Sequence, residues 1–266
     1  MYEVFVLTQE KIDQAAALLT QARIENKVID CIPVNIRPNS LAEAYAVQDQ
    51  FIKNLNLPIG GWFGACTNET IQNMLGLHEP YYARLLSDYI FNSPAVLESC
   101  SFPPIALEVE YGFKLNKDLP HRSEIYTREE VEASVESVHP TIEVVAAHLK
   151  DWTEQDVYSV ISDNGTDGAL IVGDGVTEWQ TSDLKNSTVV LSVNGSIQRT
   201  GSGVKVMGDP MECLVWLANT IRQKYQGLKQ GQIHNTGTVT DIYWAKPGDK
   251  AVAEFSGLGS VELKIV

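Results

Sequence analysis

Cysteine is scarce in this chain, and what there is forms no pattern: Cys31, Cys66, Cys100 and Cys213 are the whole supply. They lie far apart, with no CxxC pair and no histidine at ligand spacing, so neither a disulfide framework nor a zinc site is indicated. All four are expected to be reduced and packed. Positive charge is short as well, with 20 Lys and Arg against 34 Asp and Glu and a formal net charge of −14. That balance argues against polyanion partners, nucleic acid among them. No apolar run approaches the ~18 residues of a membrane span. The opening MYEVFVLTQEK has no basic leader pattern, so a soluble, cytoplasmic chain with no membrane partner is expected. Internal repeats and low-complexity linkers are missing. Gly173-Asp174-Gly175 and Gly201-Ser202-Gly203 lack the strand, GxGxxG and helix context of a dinucleotide site. The histidines His78, His121, His139, His148 and His234 show no ligand spacing and read as structural or exposed.

What is present suffices for a full core: 266 residues and 29.4 kDa make one large domain or two small ones. The first third reads as helical. Gln9–Asn26 is amphipathic through Ile12, Ala15, Ala16, Leu19 and Ala22; Ser40 with Glu43 forms a capping box for a second helix; Thr67 caps a third that stops at Gly76. Strands are expected after about Pro94: Ile105–Leu115, Thr141–Ala147, Ala169–Val172, Thr188–Gln198 turning at Asn194-Gly195, and the closing pair Ala251–Phe255 and Val261–Ile265. Two helices interrupt them, Arg128–Val138 behind Thr127 and Glu130, and one from Asp209-Pro210 to near Gly227. The spacing predicts an α+β chain, with an α-rich region over 1–95 and a β-rich, metal-binding catalytic region over 96–266.

The stretch ALEVEYGFKLNKDLP, Ala106 to Pro120, sets Glu108 and Glu110 two apart in an otherwise apolar alternation. In a strand, i and i+2 share a face about 6–7 Å apart, so both carboxylates can reach one ion. Glu143 stands among Ile142, Val144, Val145 and Ala146 in what reads as a buried strand, where a carboxylate needs a cation, a donor or a proton. Three carboxylates suit Mg²⁺ or Mn²⁺ better than zinc. The same alternation also describes an ordinary half-exposed strand with Glu108, Glu110 and Lys114 facing water. Spacing alone does not decide between them.

Several motifs in order do bear on it. The paired glutamates followed by KDLP, the IEVV strand after a proline, Asp163-Asn164, GDPMECLVWLAN and TGTVTDIYWAKPGDKAVAEFSGLGSVEL resemble the 2-keto-4-pentenoate hydratase and 4-oxalocrotonate decarboxylase group of the fumarylacetoacetate hydrolase superfamily, from about Ser40 to the C-terminus. The resemblance implies a mixed β-roll body, Glu108, Glu110 and Glu143 as ligands of one divalent ion, and a lyase acting on short 2-oxo or 2-hydroxydienoate acids. It implies Asp88 and Asp163 as acid–base groups and Asn164 as a lining residue. Thr236-Gly237-Thr238 resembles a carboxylate-contacting loop, and a homo-oligomer, associated with a related family subunit in some settings, goes with the likeness. Asp163 and Asn164 are equally good turn caps, and Asp88 an ordinary turn aspartate.

Two departures stand out. In Gly60-Gly61-Trp62-Phe63-Gly64, Phe63 occupies the position where relatives carry a lysine, and Ala146-Ala147-His148 stands where an acidic residue and an arginine usually follow the third glutamate. Losing that ammonium removes a positive charge for a substrate carboxylate and a proton shuttle. Lys114, on the Glu108 and Glu110 face, is a candidate replacement, though a surface lysine at a strand end explains it equally well. Two functions are therefore open, a metal-dependent hydratase or decarboxylase and a weakened relative acting as partner subunit or small-acid binder.

Overall fold

The computed structural model describes residues 7–266. Helix α1 (Gln9–Ile24) is capped by Thr8 and buries the expected apolar stripe. It packs on α2 (Leu41–Leu55) through a satellite core that includes Leu19, Ile32, Val47, Phe51 and Leu149. Only half of the expected capping box forms. Ser40 accepts from the Glu43 N–H, but the Glu43 carboxylate turns to the Leu7 and Asn39 N–H groups at 2.6 and 2.8 Å. Strand β1 (Ile59–Ala65) leads to α3 (Glu69–Leu75), which Asn68 caps rather than Thr67 and which ends at Gly76 with φ +69°.

Next come β2 (Tyr81–Leu86), a 3₁₀ turn at Ser87–Tyr89, β3 (Ile90–Asn92), β4 (Ala95–Leu97), β5 (Ala106–Leu115) and β6 (Leu119–Pro120). Thr127 and Glu130 do form a reciprocal capping box, but α4 (Arg128–Glu132) is a single turn and β7 (Val135–Val145) begins where a helix was expected. Val135 and Val138 are β-branched and bury in a strand. Pro140 lies within it opposite Tyr111, its carbonyl accepting from Gly173 N–H. The chain continues through α5 (Val157–Ser162), β8 (Asp167–Val172), β9 (Thr188–Val193), β10 (Ser196–Ser202), α6 (Pro210–Ile221), β11 (Gly227–Leu228), β12 (Ile233–Asn235), β13 (Tyr243–Trp244), β14 (Lys250–Phe255) and β15 (Gly259–Ile265). The Asn194-Gly195 turn joins β9 to β10 as expected; α6 stops before Gly227.

The large sheet runs β2-β1-β12-β5-β7-β8-β3, with β13 also on β5; the second runs β10-β9-β14-β15-β4, and β6 pairs with β11. One face of β5, with Leu107, Val109, Tyr111 and Phe113, joins the second sheet and α6 in the main core. The other face curls on itself. Edge strand β2 packs against β8, and the turn after β2 delivers β3 to a parallel pairing with β8. Phe63 and Ala83 from one end of the sheet thereby meet Leu170 and Val172 from the other. The architecture is the expected α+β mixed roll. Strands β1, β2 and β3 precede residue 96 and belong to the same sheet as β5, β7 and β8, so the sheet crosses the expected boundary at 95.

Candidate functional site

Register fixes which side chains meet inside the curl, because residues paired across neighbouring strands point to the same side. Glu108 faces Glu143, Glu110 faces Thr141 and Gly112 faces Asn235, which in turn faces Phe63. Both glutamate strands therefore project inward, and ligand oxygens of Glu108, Glu110 and Glu143 all lie within 4.8 Å of one another. Glu110 and Glu143 are 1% and 2% exposed, and Glu108 is half-buried, so the site opens on the Glu108 side. The half-exposed strand with outward glutamates is excluded.

Electrostatics follow from this crowding. Burial pushes the Glu108 carboxyl up to about 7. Burial and the Glu108 charge hold Glu110 well above the usual carboxylate range, although the Gly237 N–H donates to its Oε2 at 2.8 Å and pulls the other way. Glu143 is raised by burial and by the charges of Glu110, Glu108 and Asp167. Such a cluster requires protons or a cation. An all-oxygen, carboxylate-rich donor set fits a hard divalent ion. Gly237, at φ +86°, brings its amide in where a Cβ would strike Thr67 Oγ1, so the buried Thr67 shapes this loop instead of capping α3.

The other expected residues divide. Phe63 is 2% exposed and faces the same interior, next to Tyr81 and the flat Gly165. Thr236 is buried with its hydroxyl unpartnered, whereas Thr238 bonds the Thr240 carbonyl at 3.0 Å. Asp163 is buried: Oδ2 accepts from His148 N–H at 2.9 Å, Oδ1 is unpartnered, and burial raises the group to about 7. Asn164 clasps the β2 edge, accepting from Arg84 N–H at 2.9 Å and donating to its carbonyl at 2.8 Å. Asp88 is exposed on the 3₁₀ turn. Lys114 does not turn back to the glutamates: its side chain is 41% exposed and its ammonium lies 3.4 Å from Glu136 at the far end of β5. The distance along the strand decides this.

Sequence reasoning passed over Asn235, Tyr81, Asp167 and Arg23. The Thr141 hydroxyl bridges the Glu110 carbonyl and the Asn235 amide, leaving one polar atom of that amide buried and unpartnered. Arg23, from α1, lies 3.7 Å from Asp167 and donates to its carbonyl. Tyr81 feels the charges of Glu108 and Glu143. Strand alternation from the glutamates would have found Asn235 had β12 been placed; a three-residue strand gives no period to read.

Residues 88–266 match the family model for the C-terminal region of fumarylacetoacetate (FAA) hydrolase, and the chain belongs to that family. A 2-keto-4-pentenoate hydratase of Paraburkholderia xenovorans is 28% identical over 96% of this chain and 95% of its own. A 4-oxalocrotonate decarboxylase of Pseudomonas putida is 25% identical over 98% of both. Among solved structures, the Pseudomonas putida G7 4-oxalocrotonate decarboxylase complexed with magnesium and adipate superposes with a TM-score of 0.89 at 23% identity, covering 98% of this chain and 99% of that one, a likeness of fold. No helix among the described residues is long and apolar enough to cross a membrane.

Proposed function

We propose that this chain is a divalent-metal-dependent lyase acting on short 2-oxo or 2-hydroxydienoate acids, a hydratase or a decarboxylase. The observation that carries the reading is the convergence of Glu108, Glu110 and Glu143 inside the curled sheet. Family membership and relatives named for both reactions support it. Mg²⁺ or Mn²⁺ held there would supply positive charge to polarise a 2-oxo group and balance the negative charge that builds on it. The chain's own residues do the rest. The Gly237 amide fixes the Glu110 carboxylate, the close fit against Thr67 fixes Gly237, and Thr236 and Asn235 offer neutral polar atoms to the acid. Asp163 Oδ1 is the assigned proton carrier, since a carboxyl raised to about 7 is poised to give and take a proton near neutral pH. Asp88 lies exposed on the 3₁₀ turn after β2.

Calorimetric titration with Mn²⁺ tests the site: the native chain should bind one ion and Glu110→Gln should lose most of that affinity. Equal affinity in both would sink the proposal. A second reading, a small-acid binder or partner subunit with little turnover, is favoured by Phe63, an apolar ring where the resemblance implies a lysine. Rapid loss of 2-hydroxypenta-2,4-dienoate absorbance with the native Mn²⁺-loaded chain would reject that second reading. The homo-oligomer belongs to the first reading and a related partner subunit to the second.

A further inference from the structure

Resting on the metal-dependent reading above, we infer a substrate class: the site selects acids with one carboxylate and an uncharged remainder, and Phe63 is the residue that imposes this. Apart from Thr141 and Asn235, the interior face next to the glutamates is apolar. Phe63, Ala83, Leu85, Leu170, Val172 and Ile233 form one buried cluster on it. Register sets Phe63 in the same transverse row as Asn235 and Gly112, one inward step along β5 from Glu110. Gly165 closes this wall. A Cβ there would stand 3.0 Å from both Phe63 Cζ and Tyr81 Cε2, so the Gly165 backbone lies close against the two rings.

The cations near enough to matter are committed elsewhere. Arg84 is 2% exposed but pairs with Trp62, so it leaves β2 on the opposite side from Ala83 and Phe63. There its guanidinium lies 4.9 Å from the Trp62 ring centre and 4.5 Å from that of Tyr225, and it bonds Gln48 and Asp49. Arg23 is held by Asp167. Lys114 pairs with Glu136 at the far end of the strand.

Charge counting then fixes the selectivity. Three glutamates and one divalent ion sum to −1, and the substrate's first carboxylate is tolerated because it meets that ion directly. A second carboxylate reaching along the face toward Phe63 would give up water for walls that hold no cation, with the neutral Asn235 amide as its only polar neighbour in that row, a large unfavourable transfer. An alkyl or alkenyl remainder would exchange water for the aromatic wall and gain by it. Discrimination comes from the unpaired charge rather than from extra contacts to the preferred acid.

The test compares 2-oxopentanoate with 2-oxoglutarate, two five-carbon 2-oxo acids that differ at the distal end, by displacement calorimetry on the full chain loaded with Mn²⁺. The native chain should bind 2-oxopentanoate at least tenfold more tightly. Phe63→Lys should erase or reverse that ratio by returning a cation to the wall, and Phe63→Leu should keep the preference while reporting that the fold tolerates change there. Equal or tighter binding of 2-oxoglutarate by the native chain, or an unchanged ratio in Phe63→Lys with Mn²⁺ still bound, overturns the inference alone. Failure of the native chain to bind Mn²⁺ at all overturns the metal-dependent reading, and this inference with it.

Discussion

Replacing Glu143 with glutamine should move the metal-free and metal-loaded proteins in opposite directions. In the metal-free chain the three carboxyls are held above the ordinary carboxylate range, so the folded state binds more protons than the unfolded one. Stability therefore falls as pH rises above the unfolded value near 4.5, through about 7 where Glu108 ionises, and further for the two higher groups. At pH 8 the folded chain bears whichever cost is smaller, repulsion or protonation. At 4.8 Å, the outer limit of their spacing, and an effective dielectric near 20, two full charges repel by about 3.5 kcal/mol. Holding one glutamate protonated at pH 8 costs about 4.8 kcal/mol, from about 1.36 kcal/mol for each pH unit above 4.5. Removing one partner should thus relieve about 3.5 kcal/mol at pH 8, the smaller of the two costs, a rise in Tm of roughly 7–14 °C for a chain of this size. At pH 5 protonation costs only about 0.7 kcal/mol and the gain should nearly vanish. Mn²⁺ at a thousand times its Kd should add about 4.1 kcal/mol to the native chain and little to the variant, inverting their order. Differential scanning calorimetry at pH 5 and pH 8, with EDTA or Mn²⁺, reads all four states. A Glu143→Gln protein less stable than native at pH 8 in EDTA, or equally raised by Mn²⁺, would refute the reasoning.

Further outcomes follow from single contacts. Asn164→Ala should cost about 2–4 kcal/mol, because it leaves two buried backbone groups of Arg84 unpaired; hydrogen exchange at the Arg84 amide should accelerate, and unchanged exchange would count against the clasp. Gly165→Ala should cost about 1–3 kcal/mol, since φ is +64° and the new methyl meets Phe63 and Tyr81; Phe63→Leu in the same chain should recover part of the loss in urea unfolding. Lys114→Ala should change stability by less than about 1 kcal/mol and leave acid binding the same at low and high salt, because its partner is the exposed Glu136. A salt-dependent loss of binding would return Lys114 to the site. Asp163→Asn should lower turnover while leaving Mn²⁺ affinity within about threefold; equal turnover from pH 6 to pH 9 would remove Asp163 from proton transfer.

Much of the site was legible because it is local. Alternation in β5 placed Glu108 and Glu110 on one face, and an acid among β-branched residues marked Glu143. What could not be read was assembly. The burial pattern of β2 is uniform, with all of Tyr81–Leu86 inside, so no period of two survives, and glycines dilute the β1 signal. Gly61 is there because a Cβ would lie 1.7 Å from the Ile233 carbonyl oxygen, a close approach set by a strand more than a hundred residues away. The helix expected over Arg128–Val138 had a sound cap and failed one turn later, where pairing with β5 outweighed local propensity. Asn164 read equally well as a turn residue and as a pocket residue, and became a strand clasp because β2 needed an edge partner.

The insertion of β12 between β1 and β5 has a consequence for how the chain is made. Residues 233–235 pair parallel with β1 on one side and antiparallel with β5 on the other. Strand β12 starts 118 positions after the end of β5, so at about 5–20 residues per second a nascent chain waits roughly 6–24 s with both flanking edges unpaired. Facing edges that close on each other directly would exclude β12 and set Phe63 against Gly112 in the wrong register. The face that carries the three glutamates is complete only once Asn235 has been made, and chains that stop before it should expose two open strand edges and self-associate.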